Sequence, residues 1–184
     1  MIGGCGDPDD EALTPGLTGG WSTAGCELAR RPESIAVGGL TMPTTPAALD
    51  AAIGRIDRGG RQDFTDSYAG IEVDQEHVRA MVYRVPSARF DDFIRQAAEN
   101  TCIVVRDAAH SAADLGVWHD RVVADLSFWT ARGIRIVTIG ARHDGTGVEV
   151  GTQDLDRARL ELPARYGSRA PLVIVGQGPM QPFS

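Results

Sequence analysis

The residues with the most varied chemistry lie together in the stretch RDAAHSAADLGVWHD. His110 and Asp114 are one helical turn apart, a spacing at which both side chains could bind a zinc or manganese ion. His119 and Asp120 add a second histidine–carboxylate pair, and Ser111 adds a hydroxyl. The His110–Asp120 region is therefore the candidate site of a small secreted hydrolase or a metal-dependent enzyme.

The same residues also have an explanation that needs no ligand. Ser111, followed three residues later by Asp114, resembles the capping box at the start of a helix. Isolated spacings of this kind are weak signals for a site. We therefore prefer the capping interpretation and expect no catalytic residue, no metal and no cofactor. It predicts that Ser111 and Asp114 point at backbone N–H groups, whereas an enzyme would bring His110, Asp114 and His119 together in a pocket.

A further histidine–carboxylate pair, His143 and Asp144, stands before Gly145. A neighbouring carboxylate raises the pKa of a histidine and could make the ring a general base. An Asp-Gly pair is also typical of a tight turn, in which the histidine would face solvent. We favour the turn.

Composition excludes several classes of function. The chain has 184 residues, enough for one domain, and a formal net charge of −7. Nucleic acid binding calls for a basic surface, so we expect no nucleic acid partner. The negative charge also disfavours electrostatic docking to an anionic membrane. The sequence contains no P-loop, dinucleotide-binding glycine motif, nucleophile elbow or paired metal-binding cysteines.

The first cysteine suggests where the protein works. The sequence IGGC, which ends at Cys5, resembles the end of a bacterial lipobox. The resemblance implies a protein held on the outer face of the cell membrane by a lipid on Cys5. Cys26 and Cys102 then remain for one intramolecular disulfide, which an oxidising compartment would permit. The alternative is that Cys102 is a small buried residue at the start of a strand and Cys26 is free.

Composition also divides the chain into three parts. Residues 1–44 are rich in Gly, Pro, Thr and acidic residues and predict a flexible leader, although Trp21 and Cys26 could dock part of it onto the domain. Residues 45–178 predict a single α+β domain, and residues 179–184 form a tail. The expected helices are 45–58 (ended by the glycine pair at 59–60), 86–100, 111–132 and 152–166 (capped by Thr152), and the expected strands are 68–75, 78–85, 101–108, 134–140, 148–151 and 171–176.

The order of these elements indicates the fold. From about residue 101 to 177 it is β-α-β-β-α-β, the order of a ferredoxin-like sandwich, and a β-β-α unit precedes it. The sheet would be mostly antiparallel, with the helices on one face. The same elements also form strand-strand-helix-strand twice, over 68–107 and 134–176, which would fit an internal duplication.

Three phrases carry a family resemblance: YAGIEVDQ from Tyr68, GVEV from Gly147, and RYG from Arg165. Over residues 64–178 the chain resembles the pro-region of actinobacterial serine endopeptidases of the streptogrisin and α-lytic type. As a whole it is similar to uncharacterised actinobacterial lipoproteins that carry this module alone. The nucleophile motif Gly-Asp-Ser-Gly is absent, so no catalytic residue is carried over. The resemblance implies a non-enzymatic envelope protein that binds another protein or a peptide, for example by strand addition.

Overall fold

Alternating and helical hydrophobic patterns produce nine strands and five α-helices in the described part of the chain, which confirms the α+β class. The computed structural model describes residues 19–28 and 30–178. The strands are β1 (Trp21–Ser22), β2 (Glu33–Val37), β3 (Leu40–Thr44), β4 (Tyr68–Asp74), β5 (Arg79–Arg84), β6 (Ile103–Asp107), β7 (Ile136–Ala141), β8 (Val148–Thr152) and β9 (Leu172–Gly176). The helices are α1 (Ala47–Asp63), α2 (Ala88–Ala98), α3 (Ala112–Ala124), α4 (Leu126–Ala131) and α5 (Leu155–Tyr166).

Two units share one plan, an antiparallel hairpin followed by a helix and a strand that returns parallel to the second hairpin strand. In the first unit β4 and β5 form the hairpin and β6 joins β5 after α2. In the second unit β7 and β8 form the hairpin and β9 joins β8 after α5. Tyr68 pairs with Arg84, and Ile136 pairs with Thr152, each 68 positions later, with a register shift following in both hairpins. This shared register favours an internal duplication.

The predicted β-α-β-β-α-β order is present, but its strands belong to two sheets. One sheet has the order β1-β6-β5-β4, and another has the order β7-β8-β9. Strand β6 therefore pairs with β5 and β1 instead of completing a ferredoxin-like sheet with the strands that follow it. The cause is packing: Val105 of β6 is buried in a first core with Val82 and Phe90, while Val150 and Leu162 belong to a second core.

Helix α1 continues past the glycine pair that was expected to end it, and reaches Asp63. A Cβ atom on Gly59 would lie 2.4 Å from the ring of Phe93, and one on Gly60 would lie 2.4 Å from the ring of Tyr68. The two glycines thus admit aromatic rings against the helix. Their role is close packing and not termination, so the predicted helix end at Arg58 was wrong.

Two other predicted boundaries differ from the structure. The long helix is interrupted at Asp125, which separates α3 from α4, and Gly133, with φ of +75°, follows its end. Thr152 ends β8 instead of capping a helix, and α5 begins at Leu155. The Thr152 hydroxyl donates to the Arg135 carbonyl (2.8 Å) and accepts from the Asp154 N–H (3.1 Å).

Residues 19–44 contain regular elements, in contrast to the irregular leader expected there. Trp21 of β1 pairs with Val105 of β6, and a short 3₁₀ helix follows over Ala24–Glu27. The Thr23 hydroxyl donates to the Thr101 carbonyl at 2.7 Å. Elements of two to five residues are too short for a hydrophobic period to distinguish them from a loop, and glycine, threonine and proline around them favour a loop. Residues 1–18, and with them Cys5, lie outside the described residues.

A disulfide joins Cys26 to Cys102, which are 76 positions apart in sequence. Of the two alternatives that the sequence left open, the structure has the disulfide. Such bonds persist in oxidising compartments, which indicates an extracytoplasmic domain. In the described part of the chain, no helix is both long and apolar enough to cross a membrane.

We predict that the double variant Cys26→Ser, Cys102→Ser unfolds at lower urea concentration than the parent chain. A bond that closes so long a loop restricts the unfolded chain, and its loss should lower the free energy of unfolding by about 4 kcal/mol. Urea unfolding followed by tryptophan fluorescence measures this change. Cys5→Ser is the control for loss of a thiol outside the bond. Equal midpoints for the double variant and the control would show that the disulfide does not stabilise the domain.

Candidate functional site

A groove of about 460 Å³ lies between α1, β4 and the turn that connects β7 to β8. Its apolar surface comes from Ile53 of α1 and from Ile71 and Val73 of β4. Arg142 and His143 form the wall on the side of the turn. The groove therefore brings residues of both units together around one exposed strand.

The sheet explains why apolar side chains line this groove. Strand β4 is at the edge of its sheet, next to β5. Ile71 pairs with buried Val82, and Val73 pairs with buried Ala80. Directly paired residues of antiparallel strands lie on the same face, so Ile71 and Val73 point to the core side of the sheet. Val73 nevertheless remains 41% exposed, because this end of β4 is incompletely covered.

Asp57, Arg61 and Tyr68 form the polar part of the groove. The Tyr68 hydroxyl donates to the Asp57 carboxylate, and Arg61 Nε donates to both Asp57 oxygens at 2.9 and 3.1 Å. The Arg61 guanidinium also lies 5.4 Å from the centroid of the Tyr68 ring. Burial first, and then the bond to Asp57, raise the pKa of Tyr68. Burial lowers the pKa of Arg61, but the hydrogen bond and the charges around it outweigh this, and that pKa is raised.

Contacts between the two units hold the wall of the groove that contains His143 in place. His143 Nε2 lies 3.6 Å from a Glu72 oxygen, and its ring packs edge-on against Tyr83. The Tyr83 hydroxyl donates to Glu72 at 2.9 Å. A Cβ atom on Gly70 would lie 2.4 Å from the His143 carbonyl oxygen, so a glycine in β4 allows the turn to approach. His143, although 59% exposed, thus contacts the first unit in addition to solvent.

The predicted turn at Asp144-Gly145 is present. The Asp144 carboxylate accepts hydrogen bonds from the N–H and the hydroxyl of Thr146, at 3.0 and 2.6 Å. Burial raises the pKa of Asp144, but these two bonds and nearby cations outweigh it, and the pKa is lowered. Gly145 has φ of +70°, a conformation that favours glycine. Asp144 therefore shapes the turn and is occupied in doing so.

The residues of the His110–Asp120 region do not converge. The Ser111 hydroxyl, which is buried, accepts from the Asp114 N–H at 3.1 Å and so caps α3. Asp114 takes part through its backbone, and its side chain is exposed. His119 Nδ1 lies 2.9 Å from the exposed Asp120 carboxylate. Within residues 19–28 and 30–178, no three His, Cys, Asp or Glu residues are grouped so as to hold a metal ion.

The groove could not be recognised in the sequence, because Asp57 lies before the predicted end of α1 at Arg58 and Arg61 lies after it. Asp57 and Arg61 have the i,i+4 spacing of a helical ion pair, which is a readable signal. Ending the helix at Arg58 placed Arg61 in a loop and removed that signal. The contact to Tyr68 depends on the packing of β4 against α1, which no local pattern reveals.

No family model, curated protein or solved structure matches this chain. The guanidinium groups of the groove stand beside carboxylates: Arg61 with Asp57, and Arg142 with Glu149 at 3.2 Å. The His143 ring lies beside the Glu72 carboxylate. Such a surface favours a ligand that is neutral and partly apolar over a free ion.

We predict that Asp57→Asn lowers the pKa of one tyrosine, Tyr68, because the variant removes the charge that disfavours the phenolate. The pKa of Tyr68 is raised in the folded protein, so folding favours the neutral phenol. This contribution to the free energy of unfolding is fully present below pH 10, the pKa of tyrosine in the unfolded chain, and it is lost as the pH rises above 10. Absorbance at the phenolate band during alkaline titration measures the change, and Tyr68→Phe assigns it. Asp50→Asn, on the same helix, is the control. A Tyr68 titration that is the same in both Asn variants would contradict the role given to Asp57.

Proposed function

We propose that this chain is a non-enzymatic lipoprotein of the cell envelope, anchored through a lipid on Cys5, whose domain binds an extended segment of another protein. The observation that carries the binding proposal is the groove along the exposed edge strand β4. The edge of β4 presents backbone N–H and C=O groups. Ile53, Ile71 and Val73 form the apolar floor of the groove, and its arginines are paired with carboxylates.

Strand addition fits the shape of this site. An edge strand presents a row of backbone N–H and C=O groups that an incoming peptide can pair with. Alternate side chains of that peptide would then point to the core side of the sheet, where Ile53, Ile71 and Val73 line the groove. Affinity would come from the main chain, and selectivity would come from apolar residues at every second position of the ligand.

The polar groups of the groove support binding more than catalysis. A nucleophile or general base must be able to exchange a proton with a substrate. Here the Tyr68 hydroxyl is held by Asp57, and both oxygens of Asp57 accept from Arg61. These bonds fix the end of the groove in one geometry. They leave its apolar part as the variable surface that a peptide would contact.

Two further points support this assignment. The Cys26–Cys102 disulfide suits a protein that works outside the cytoplasm. The resemblance to serine endopeptidase pro-regions, which contact a peptidase, makes a peptidase or its peptide segment the favoured partner. An anchor on Cys5 would place such a binding domain next to proteins that cross or leave the membrane.

We predict that peptides selected from a random library bind along β4. Amide hydrogen exchange should slow at those residues of 70–74 whose N–H groups face away from β5, because new backbone hydrogen bonds protect these positions. Ile71→Glu should weaken binding at least about tenfold, since it places a charge on the apolar floor. Leu160→Glu, at a leucine that is 76% exposed on α5, is the matched control. Slower amide exchange only outside β4, or an equal loss of peptide binding in the two Glu variants, would refute a site at β4.

We also predict a lipid on Cys5 when the protein is produced from its native locus in its bacterial host. Mass spectrometry of the amino-terminal peptide should show a diacylglyceryl group on the Cys5 thiol. Cys5→Ala should release the protein from the membrane fraction. Recovery of the parent protein with an unmodified Cys5 would rule out the anchor but would leave the groove untouched as a proposal.

A further inference from the structure

The hairpin formed by β2 and β3 carries an exposed apolar face. Ile35 pairs with Met42, and Val37 pairs with Leu40, across the two strands. Residues two apart on a strand share a face, so these four side chains lie together. Their exposed fractions are 53%, 53%, 54% and 71% for Ile35, Met42, Val37 and Leu40. Four large apolar side chains on one exposed face indicate a surface that something covers.

The hairpin also stands apart from the rest of the described chain. Its two strands form a sheet of their own. A two-stranded hairpin alone is marginally stable in water, so cover on its apolar face would stabilise it. The stretch from Ser34 to Thr44 contains no charged residue, although charged residues make up 23% of the chain. An uncharged apolar face offers no ion pair to a charged surface, so it favours contact with another apolar surface.

The small area of this apolar face favours a bilayer over a second copy of the chain as the surface that covers it. Four side chains that are each about half exposed or more offer on the order of 400 Å², against about 800 Å² per partner in a standard protein interface. Pro43 lacks an N–H, which weakens β3 as an edge for pairing with another strand. A bilayer surface makes neither demand, because it needs only an apolar end that can enter the interface.

The distribution of polar groups along the hairpin matches a membrane interface. Its turn is Gly38-Gly39, both with positive φ, so its tip carries no side chain. Val37 and Leu40 flank the tip, while the exposed charges of Arg31 and Glu33 lie at the base. An apolar end with charges set back from it can enter the layer between headgroups and acyl chains while the charges stay hydrated.

We propose that the end of the β2–β3 hairpin inserts into the interfacial layer of a lipid bilayer and so orients the domain on the membrane. This contact would act in addition to a lipid on Cys5 and does not depend on it. Because the protein has a net charge of −7 and the hairpin end has none, the attraction is apolar. Binding then does not require anionic lipid, since anionic headgroups repel the net charge of the protein and salt only screens that repulsion.

The test uses the unlipidated, oxidised full chain and flotation with phosphatidylcholine vesicles, with and without phosphatidylglycerol. We expect the parent chain to float with phosphatidylcholine vesicles at low and at high salt, and phosphatidylglycerol should not strengthen its binding. Leu40→Asp should weaken partitioning at least about tenfold, because it replaces an apolar group at the tip with a charge. The matched control is Leu160→Asp, a leucine of similar exposure on α5, which should bind like the parent.

Three results would overturn the proposal. The first is no flotation of the parent chain, and the second is equal loss in the two Asp variants. The third is binding that requires phosphatidylglycerol and disappears at high salt, which would assign it to charge. Sedimentation velocity serves as the companion measurement: a parent dimer that Leu40→Asp dissociates, without vesicle binding, would identify a second copy of the chain as the occupant.

Discussion

The buried guanidinium of Arg84 organises the first unit. Arg84 is the last residue of β5 and is fully buried. Its Nε donates to one oxygen of Asp91 at 2.8 Å, and an Nη donates to the other at 3.2 Å. It also pairs with Asp107 at the end of β6, which accepts the Gly19 N–H at 2.7 Å. A charge removed from water is costly unless its partners are well placed, so this group constrains a strand, a helix and a neighbouring strand at once.

The position of the groove follows from that constraint. With β6 bound to one side of β5, β4 occupies the other side and becomes the edge of the sheet. Helix α2 is fixed through Asp91, and its Phe93 packs against Gly59 of α1. Helix α1 in turn brings Asp57 and Arg61 to Tyr68, at the start of β4. The chemistry of the groove is thus set by an ion pair that does not line it.

The second unit reaches the same plan with different interactions. The position that corresponds to Arg84 is Thr152, a neutral residue. In place of the buried ion pair, Trp129 donates to the Tyr166 hydroxyl at 2.9 Å, and that hydroxyl donates to Asp125 at 2.9 Å. Arg165 adds two bonds to Asp125, which lower the pKa of that carboxyl. The repeated element order is therefore a property of the hydrophobic pattern, while each unit has its own polar network.

The element order follows from the local hydrophobic pattern, whereas the pairing of strands and the polar networks depend on contacts between distant residues. This difference explains what the sequence could and could not predict. Hairpin β4–β5 and helix α2 follow from local periods and from the Ser87 cap, whose hydroxyl accepts the Phe90 N–H at 3.4 Å. The division into two sheets could not be predicted, because a strand such as β6 carries the same apolar pattern whichever neighbour it pairs with. Nor could the role of Gly59 in α1, because an aromatic ring from another helix decides it.

The Cys26–Cys102 disulfide links the two proposed contact surfaces, the β2–β3 hairpin and the groove along β4. The hairpin begins at Glu33, seven positions after Cys26, and Cys26 is joined to Cys102 directly before β6. Strand β6 pairs with β5, and β5 pairs with the edge strand β4. A pull on the hairpin would therefore reach the Cys26–Cys102 bond before it reached β1, and would act through that bond on β6 inside the first sheet. Strand β1 consists of only two residues, so its own hydrogen bonds would resist such a load poorly, and the disulfide is the stronger link between the hairpin and the sheet that carries the groove.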